Sequence, residues 1–205
     1  MDLSYNTGNI FPVPIHVFDI KDFNLYQKDL IDYAYTLKSK EKDVPNRSNV
    51  GGWQSSNFHL NNKNDKLHSV LMDCITSLPP LKKNINIYIR AWVNINIPGS
   101  FNVQHSHPGC DLSGVLWIKC PKESGNIVFY SPSLFESFQE VESYTQDFKD
   151  NNNYHHNYWF PPIEGRMIMF PSHLQHEVKK NLSNEDRISA SFNIKLEDKK
   201  IVWLE

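Results

Sequence analysis

The chain is 205 residues long, which is enough for one domain with a substantial hydrophobic core. Its formal net charge of −2 gives no basic field that would attract nucleic acid, and no apolar run is long enough to cross a membrane. Three cysteines, an odd number, and an N-terminus without a basic or apolar leader favour a reducing, cytoplasmic location. We therefore expect one cytoplasmic domain over residues 1–205.

The N-terminal part of the chain predicts one edge strand and two helices. Two prolines lead into a short strand at Ile15, and a proline at its start is typical of an edge strand. Apolar residues at helical spacing predict amphipathic helices over 22–37 and 65–78, and a pair of prolines ends the second helix. The charged segment 38–49 between them is expected to be a solvated loop.

The rest of the chain has the alternating pattern of β-strands. Apolar and polar residues alternate from Ile85 to Ile97, which predicts a long half-buried strand. Residues 131–164 show no clear period and are expected to form a long excursion, such as a lid or a binding loop. Two helices before many short strands predict an α+β, mainly β protein built on a sandwich or barrel. The shorter predicted strands are the one carrying His105 and His107 and then 112–119, 126–130, 166–170, 175–179 and 188–196.

Three histidines form the strongest candidate for a metal site. His105 and His107 are two residues apart on a predicted strand, so both imidazoles point to the same side. His176 follows a strand that ends at Pro171, and an antiparallel neighbour could bring it opposite the first pair. His173 competes for this role, but it lies beside the turn and is less favoured. Three imidazoles on one side of a sheet could hold iron with positions open for other ligands.

The sequence leaves two ligand sets open. Iron oxygenases commonly use two histidines and one carboxylate, whereas the position two residues after His105 is occupied by His107. Asp111 is the nearest acid, but it follows a Pro-Gly turn that gives its side chain no predictable direction. Strand geometry therefore favours His105, His107 and His176 as ligands, with Asp111 as the alternative.

Arg187 is a candidate anchor for an anionic co-substrate. If Ile188 and Ala190 pack outward, Arg187 and Ser189 face the interior of the barrel. A buried arginine needs an anionic partner, and its planar guanidinium can hold a carboxylate through two hydrogen bonds. The alternative is a surface arginine that pairs with one of the two acids before it. We interpret Arg187 as the anchor, with Ser189 adding a hydrogen bond.

Two other strands carry candidate cavity residues. Ser113 and Trp117 follow the histidine pair and could line the co-substrate cavity, although Trp117 could equally belong to the core. The polar side of the long strand, which includes Arg90 and Asn94, faces either a wet cavity or solvent.

Seven short sequence blocks occur in an order that is typical of one protein family. They are 11–15 (FPVPI), 48–55 (SNVGGWQS), 91–96 (AWVNIN), 105–108 (HSHP), 112–115 (LSGV), 170–176 and 187–193. Through these blocks the chain resembles, over nearly its whole length, the 2OG-Fe(II) oxygenase family of short bacterial and phage proteins.

The resemblance implies a double-stranded β-helix (jelly-roll, cupin-like) core with two N-terminal helices. It also implies Fe(II) and the co-substrate 2-oxoglutarate, with His176 as the distal metal ligand and Arg187 as the co-substrate anchor. The expected activity is hydroxylation of an unknown substrate with release of succinate and CO2. One departure is His107, because the wider superfamily usually has an acid at this position.

Two other functions stay open at this level. One is a three-histidine metal dioxygenase that does not use 2-oxoglutarate, and the other is a non-catalytic, cupin-like protein that binds a metal or a small ligand. The arginine that follows the last histidine favours a carboxylate co-substrate over mere metal storage. The aromatic residues Tyr154, Tyr158, Trp159 and Phe160 are expected to be exposed and are candidates for a lid or for the contact of a homodimer.

Overall fold

The computed structural model describes residue 4 and residues 12–44, 48–59, 66–77, 85–132 and 142–198. The helices with defined bounds are α1 (Asn24–Lys40), α2 (Lys66–Thr76) and α3 (Gln146–Asn152). The strands are β1 (His16–Asp19), β2 (Asn49–Val50), β3 (Trp53–Gln54), β4 (Phe58–His59), β5 (Ile85–Asn96), β6 (Phe101–His105), β7 (Leu112–Lys119), β8 (Ile127–Tyr130), β9 (Asn157–Phe160), β10 (Arg166–Pro171), β11 (His176–Val178) and β12 (Arg187–Asp198).

These strands form two antiparallel sheets. The larger sheet has the order β1-β10-β7-β12-β5-β3, and β4 also pairs with β5. The smaller sheet has the order β2-β6-β11-β8-β9. Strand β1 lies at the edge of the larger sheet, which confirms the prediction for the segment that begins at Ile15.

The centre of the larger sheet is the pair β5 and β12, which runs from Arg187 opposite Asn96 to Asp198 opposite Ile85. The apolar side chains of both strands pack into a core shared with α1 and α2, on the face of the sheet that points away from the smaller sheet. This is the outer side that was predicted for Ile188 and Ala190, so that prediction is confirmed. Full burial of one large apolar side chain is worth about 1.5–3 kcal/mol, so this face strongly fixes the register. The alternate, mostly polar side chains face the smaller sheet.

A second apolar cluster joins the two sheets. Trp117 and Phe170 of the larger sheet pack with Ile127 and Phe129 of the smaller one. Phe160 packs against this cluster with its ring centroid 6.1 Å from that of Phe129, so its predicted place in an exposed aromatic group was wrong. The neighbouring residues of β9, Tyr158 and Trp159, are exposed.

Three segments differ from the sequence predictions. Helix α1 continues to Lys40, into the segment expected to be a loop. Residues 48–59 contain β2, β3 and β4, which are too short to show an alternating pattern. The excursion 131–164 contains α3 and β9, although residues 133–141 lie outside the described part of the chain. Within the described residues, α3 is thus a helix in addition to the two expected at the N-terminus.

Close packing between β7 and β12 gives a stability prediction. A Cβ atom at Gly114 would lie 2.3 Å from Cζ of Phe192 and 2.6 Å from the carbonyl oxygen of Ile168. Gly114→Ala should therefore lower the free energy of unfolding by about 1–3 kcal/mol, as overpacked cores usually do. Urea denaturation measures this cost. In a Phe192→Leu background the same substitution should cost less, and an equal cost in both backgrounds would show that the ring contact is unimportant.

Candidate metal and co-substrate site

A cavity of about 570 Å³ lies between the two sheets. The larger sheet lines it with alternate residues of its two central strands, and the smaller sheet lines it with His105 and His176. Asn94 therefore faces the cavity, whereas Arg90 lines the cavity and is also exposed to solvent.

His105, His107 and His176 meet in this cavity. Their potential ligand atoms all lie within 4.8 Å of one another, and the described residues add no carboxylate to the group. His105 of β6 is directly opposite His176 of β11, as the sequence predicted for an antiparallel neighbour. His107 lies two residues beyond the end of β6, with its ring centroid 4.9 Å from that of His105. The arrangement offers three nitrogen donors to one ion.

Backbone carbonyls orient two of these imidazoles. Nδ1 of His105 lies 2.7 Å from the carbonyl oxygen of Val103, and Nδ1 of His176 lies 2.9 Å from that of Leu174. Because a carbonyl only accepts, each hydrogen bond requires a proton on Nδ1 and leaves the lone pair on Nε2. Such contacts commonly orient metal-binding histidines.

The three histidines are neutral near pH 7. Burial lowers the pKa of His105, and burial together with the neighbouring His105 lowers the pKa of His107 to about 4. Burial is also the main cause that lowers the pKa of His176 to about 3. Neutral imidazole is the form that binds a metal ion.

Arg187 lines the same cavity and is only 2 % exposed. Its Nη1 donates to three backbone carbonyls: that of Ser124, that of Gly125 at 3.3 Å and that of Lys179 at 3.5 Å. No carboxylate of the described residues forms an ion pair with it. Burial lowers its pKa to about 10, so the guanidinium still carries its charge at neutral pH.

A glycine allows the three carbonyls around Arg187 to lie close together. Gly125 has a φ of 96°, and a Cβ atom there would lie 2.1 Å from the carbonyl oxygen of Lys179. Only glycine allows the two backbone segments to approach this closely. Their carbonyls place partial negative charge beside Arg187 without neutralising it.

The other predicted site residues differ in their positions. Ser189 and Trp117 line the cavity, whereas Ser113 does not line it but donates through Oγ to Oδ1 of Asn193 at 2.8 Å. Asn193 itself lines the cavity, two strand positions beyond Ser191. The site residues expected from the sequence do not include Asn193, although the two-residue period that begins at Arg187 contains it.

Asp111 lies outside the histidine group. Its carboxylate accepts a hydrogen bond from the backbone N–H of Leu196 at 2.7 Å and pairs with Lys195 at 3.2 Å. The hydrogen bond from Leu196 is the main cause that lowers the pKa of Asp111, and the contact with Lys195 lowers it further. The structure therefore gives no support to Asp111 as the alternative ligand. His173 is exposed and also lies outside the group.

The lowered pKa values predict how the metal-free protein responds to acid. Between about pH 4 and 6.5 the unfolded chain binds protons at His107 and His176 that the folded chain does not bind. The free energy of unfolding should therefore decrease as the pH falls through this window. Chemical denaturation at several pH values measures the slope. The double variant His107→Gln/His176→Gln should flatten the slope, and an unchanged slope would contradict this assignment.

A comparison with known proteins finds one family whose model matches this sequence. The model of the family described as "Putative 2OG-Fe(II) oxygenase" matches residues 90–193, slightly more than half of the chain. This range contains the three histidines and Arg187. No curated protein matches the sequence. No helix in the described ranges is long and apolar enough to span a membrane.

Solved structures share the fold at low sequence identity. A prolyl-4-hydroxylase from Pseudomonas putida is 13 % identical, with a TM-score of 0.60 over 88 % of this chain and 91 % of that one. A Trichoplax adhaerens prolyl hydroxylase, solved with a peptide of hypoxia inducible factor, is 12 % identical, with a TM-score of 0.58 over 88 % and 83 %. HygX from Streptomyces hygroscopicus, solved with nickel and 2-oxoglutarate, is 9 % identical, with a TM-score of 0.56 over 89 % and 83 %. These matches confirm the jelly-roll fold.

Proposed function

Because the chain belongs to the 2OG-Fe(II) oxygenase family, we propose that His105, His107 and His176 bind Fe(II) and that Arg187 anchors 2-oxoglutarate. The reaction is hydroxylation of a primary substrate: one oxygen atom of O2 enters the substrate, and the other enters succinate as 2-oxoglutarate loses CO2. One observation carries this proposal. Three neutral imidazoles and a buried arginine with no acidic partner among the described residues line the same cavity.

The donor set fits a divalent iron. Three neutral nitrogens are available, and the carbonyls of Val103 and Leu174 hold two of the rings in the tautomer that keeps Nε2 free. Bound iron would supply the activation of oxygen, for which 2-oxoglutarate supplies the electrons. The protein contributes ligand geometry and a partly apolar wall that includes Trp117 and Phe170.

Arg187 has the properties that a carboxylate anchor needs. Its charge is buried, its Nη1 is held by backbone carbonyls, and the side chain borders the cavity. A carboxylate that reaches the remaining N–H groups would form charge-assisted hydrogen bonds where water competes poorly. Ser189, two residues along β12 on the same face, offers a hydroxyl to the same ligand.

We also infer that residues 1–205 act as one domain, because α1 and α2 pack on the sheet that carries Arg187.

The first test separates co-substrate binding from metal binding. Anaerobic addition of 2-oxoglutarate to the Fe(II)-loaded protein should produce a metal-to-ligand charge-transfer absorption band. Arg187→Gln removes the charge and keeps an N–H donor for the carbonyls, so it should weaken 2-oxoglutarate binding about tenfold or more. Binding of Fe(II), measured by competition with a chelating dye, should change little.

Two outcomes would count against this role. Equal loss of iron and 2-oxoglutarate in Arg187→Gln would mean that Arg187 supports the fold rather than the co-substrate. Iron binding without any absorption band in the unmodified protein would favour a three-histidine dioxygenase that works without 2-oxoglutarate. The presence of His107 where a carboxylate is usual gives that second function its support. Oxygen uptake without 2-oxoglutarate would then identify it.

A matched pair of variants tests the ligand set. His107→Ala should lower the affinity for Fe(II) by about tenfold or more, because it removes one of three donors. Asp111→Asn should leave the affinity almost unchanged, because Asp111 contacts Lys195 and Leu196 instead. Metal titration of both variants provides the comparison. A loss of iron in Asp111→Asn equal to that in His107→Ala would restore the carboxylate as a ligand.

A further inference from the structure

The cavity continues beyond the histidines, away from Arg187. The pairing of β5 with β12 sets four levels along it: Arg187 opposite Asn96, Ser189 opposite Asn94, Ser191 opposite Trp92, and Asn193 opposite Arg90. The Trp92 ring centroid lies 6.0 Å from that of His107, so the third level, that of Trp92, is next to the histidine group. Arg187 and Arg90 therefore lie on opposite sides of the proposed metal position, about 20 Å apart along the strands.

The outer level offers hydrogen-bond donors. Arg90 lines the cavity, is exposed, and makes no ion pair or side-chain hydrogen bond within the described part of the chain. Asn193 lies opposite Arg90, and its Oδ1 already accepts from Ser113. The amide nitrogen of Asn193 is therefore the group left to donate. A guanidinium beside an amide N–H matches an anionic oxygen ligand.

The charge of the whole cavity points the same way. Its described lining contains two arginines and no aspartate or glutamate, although the chain has 23 acidic residues. Three neutral histidines leave the charge of a bound Fe(II) unreduced, and 2-oxoglutarate as a dianion balances only that charge. The two arginines then leave a positive surplus, which an anionic substrate would lower.

We propose that Arg90 and Asn193 bind a carboxylate group of the primary substrate. One guanidinium and one amide supply the few in-plane donors that suit a planar carboxylate, whereas phosphate sites usually gather more cations. Arg90 is one two-residue step, about 7 Å, beyond Trp92 along β5. The carboxylate and the carbon to be oxidised therefore belong to one small acid or to one terminal residue of a peptide. This inference rests on the proposed function, which defines the metal level.

The test uses the full chain loaded with Zn(II), which is redox-inert, and saturated with 2-oxoglutarate. Ligand-observed NMR measures binding of a library of N-acetyl amino acids, each supplied as the free acid and as its carboxamide. We expect at least one acid to bind about tenfold more tightly than its amide. Arg90→Gln should abolish this preference, and Arg90→Lys should keep part of it. Arg166→Gln is the matched control, because it removes the same charge from a residue that pairs with Asp19 outside the cavity.

The outcomes separate this inference from the proposed function. Loss of the acid preference in Arg90→Gln, but not in Arg166→Gln, supports a carboxylate site at Arg90. Equal binding of acids and amides, a preference that survives Arg90→Gln, or no binding of any acid would overturn it. Binding of 2-oxoglutarate is measured first on the same samples. If 2-oxoglutarate fails to bind, the proposed function is wrong and the inference about Arg90 fails together with it. If 2-oxoglutarate binds normally, a negative result with the acids contradicts only the role of Arg90.

Discussion

The pairing of β5 with β12 is the constraint on which the rest of the structure depends. Over the eight residue pairs from Arg187 opposite Asn96 to Ile194 opposite Ile89, each strand presents alternate side chains to two environments: Ile95 and Ile188 to an apolar core, and Asn94 and Ser189 to the cavity. A slip of one residue would move Arg187 into the apolar core, where an unpaired charge costs several kcal/mol. The register that builds the core is therefore also the register that places the charged residues of the cavity.

Arg187 is buried, yet the fold keeps its charge available to an anion in the cavity. Water is excluded from most of the side chain, and the carbonyls of Ser124, Gly125 and Lys179 replace part of its hydration. Carbonyl dipoles stabilise the cation without neutralising it, so its field extends into the cavity. In surroundings of low dielectric constant a carboxylate gains more from such a field than it would gain in water. The turn at Gly125 thus helps to hold Arg187 as a buried charge that borders the cavity.

Much of the fold could be predicted from the sequence because its long strands carry a two-residue period. The prediction for 112–119 agrees with β7, and the two faces of β12 were assigned correctly. The direction of Asp111 could not be predicted, because it depends on a hydrogen bond to Leu196, 85 residues away, and a local pattern contains no such information. The sequence made His176 a candidate to lie opposite His105, but the register of two short strands is decided only by packing.

In the proposed metal site, His107 would change the balance between binding the metal and attracting anions. A neutral imidazole in place of a carboxylate binds Fe(II) less strongly through charge, so ligand geometry has to contribute more. His105 and His176 have their rings fixed by carbonyls, whereas the His107 side chain makes no hydrogen bond within the described residues and lies against the Trp92 ring. Trp92 lies at the level of His107 on the cavity face of β5, one two-residue step from Arg90. In the proposed site, Trp92 would therefore lie next to both the substrate carboxylate group and the least constrained of the three metal ligands.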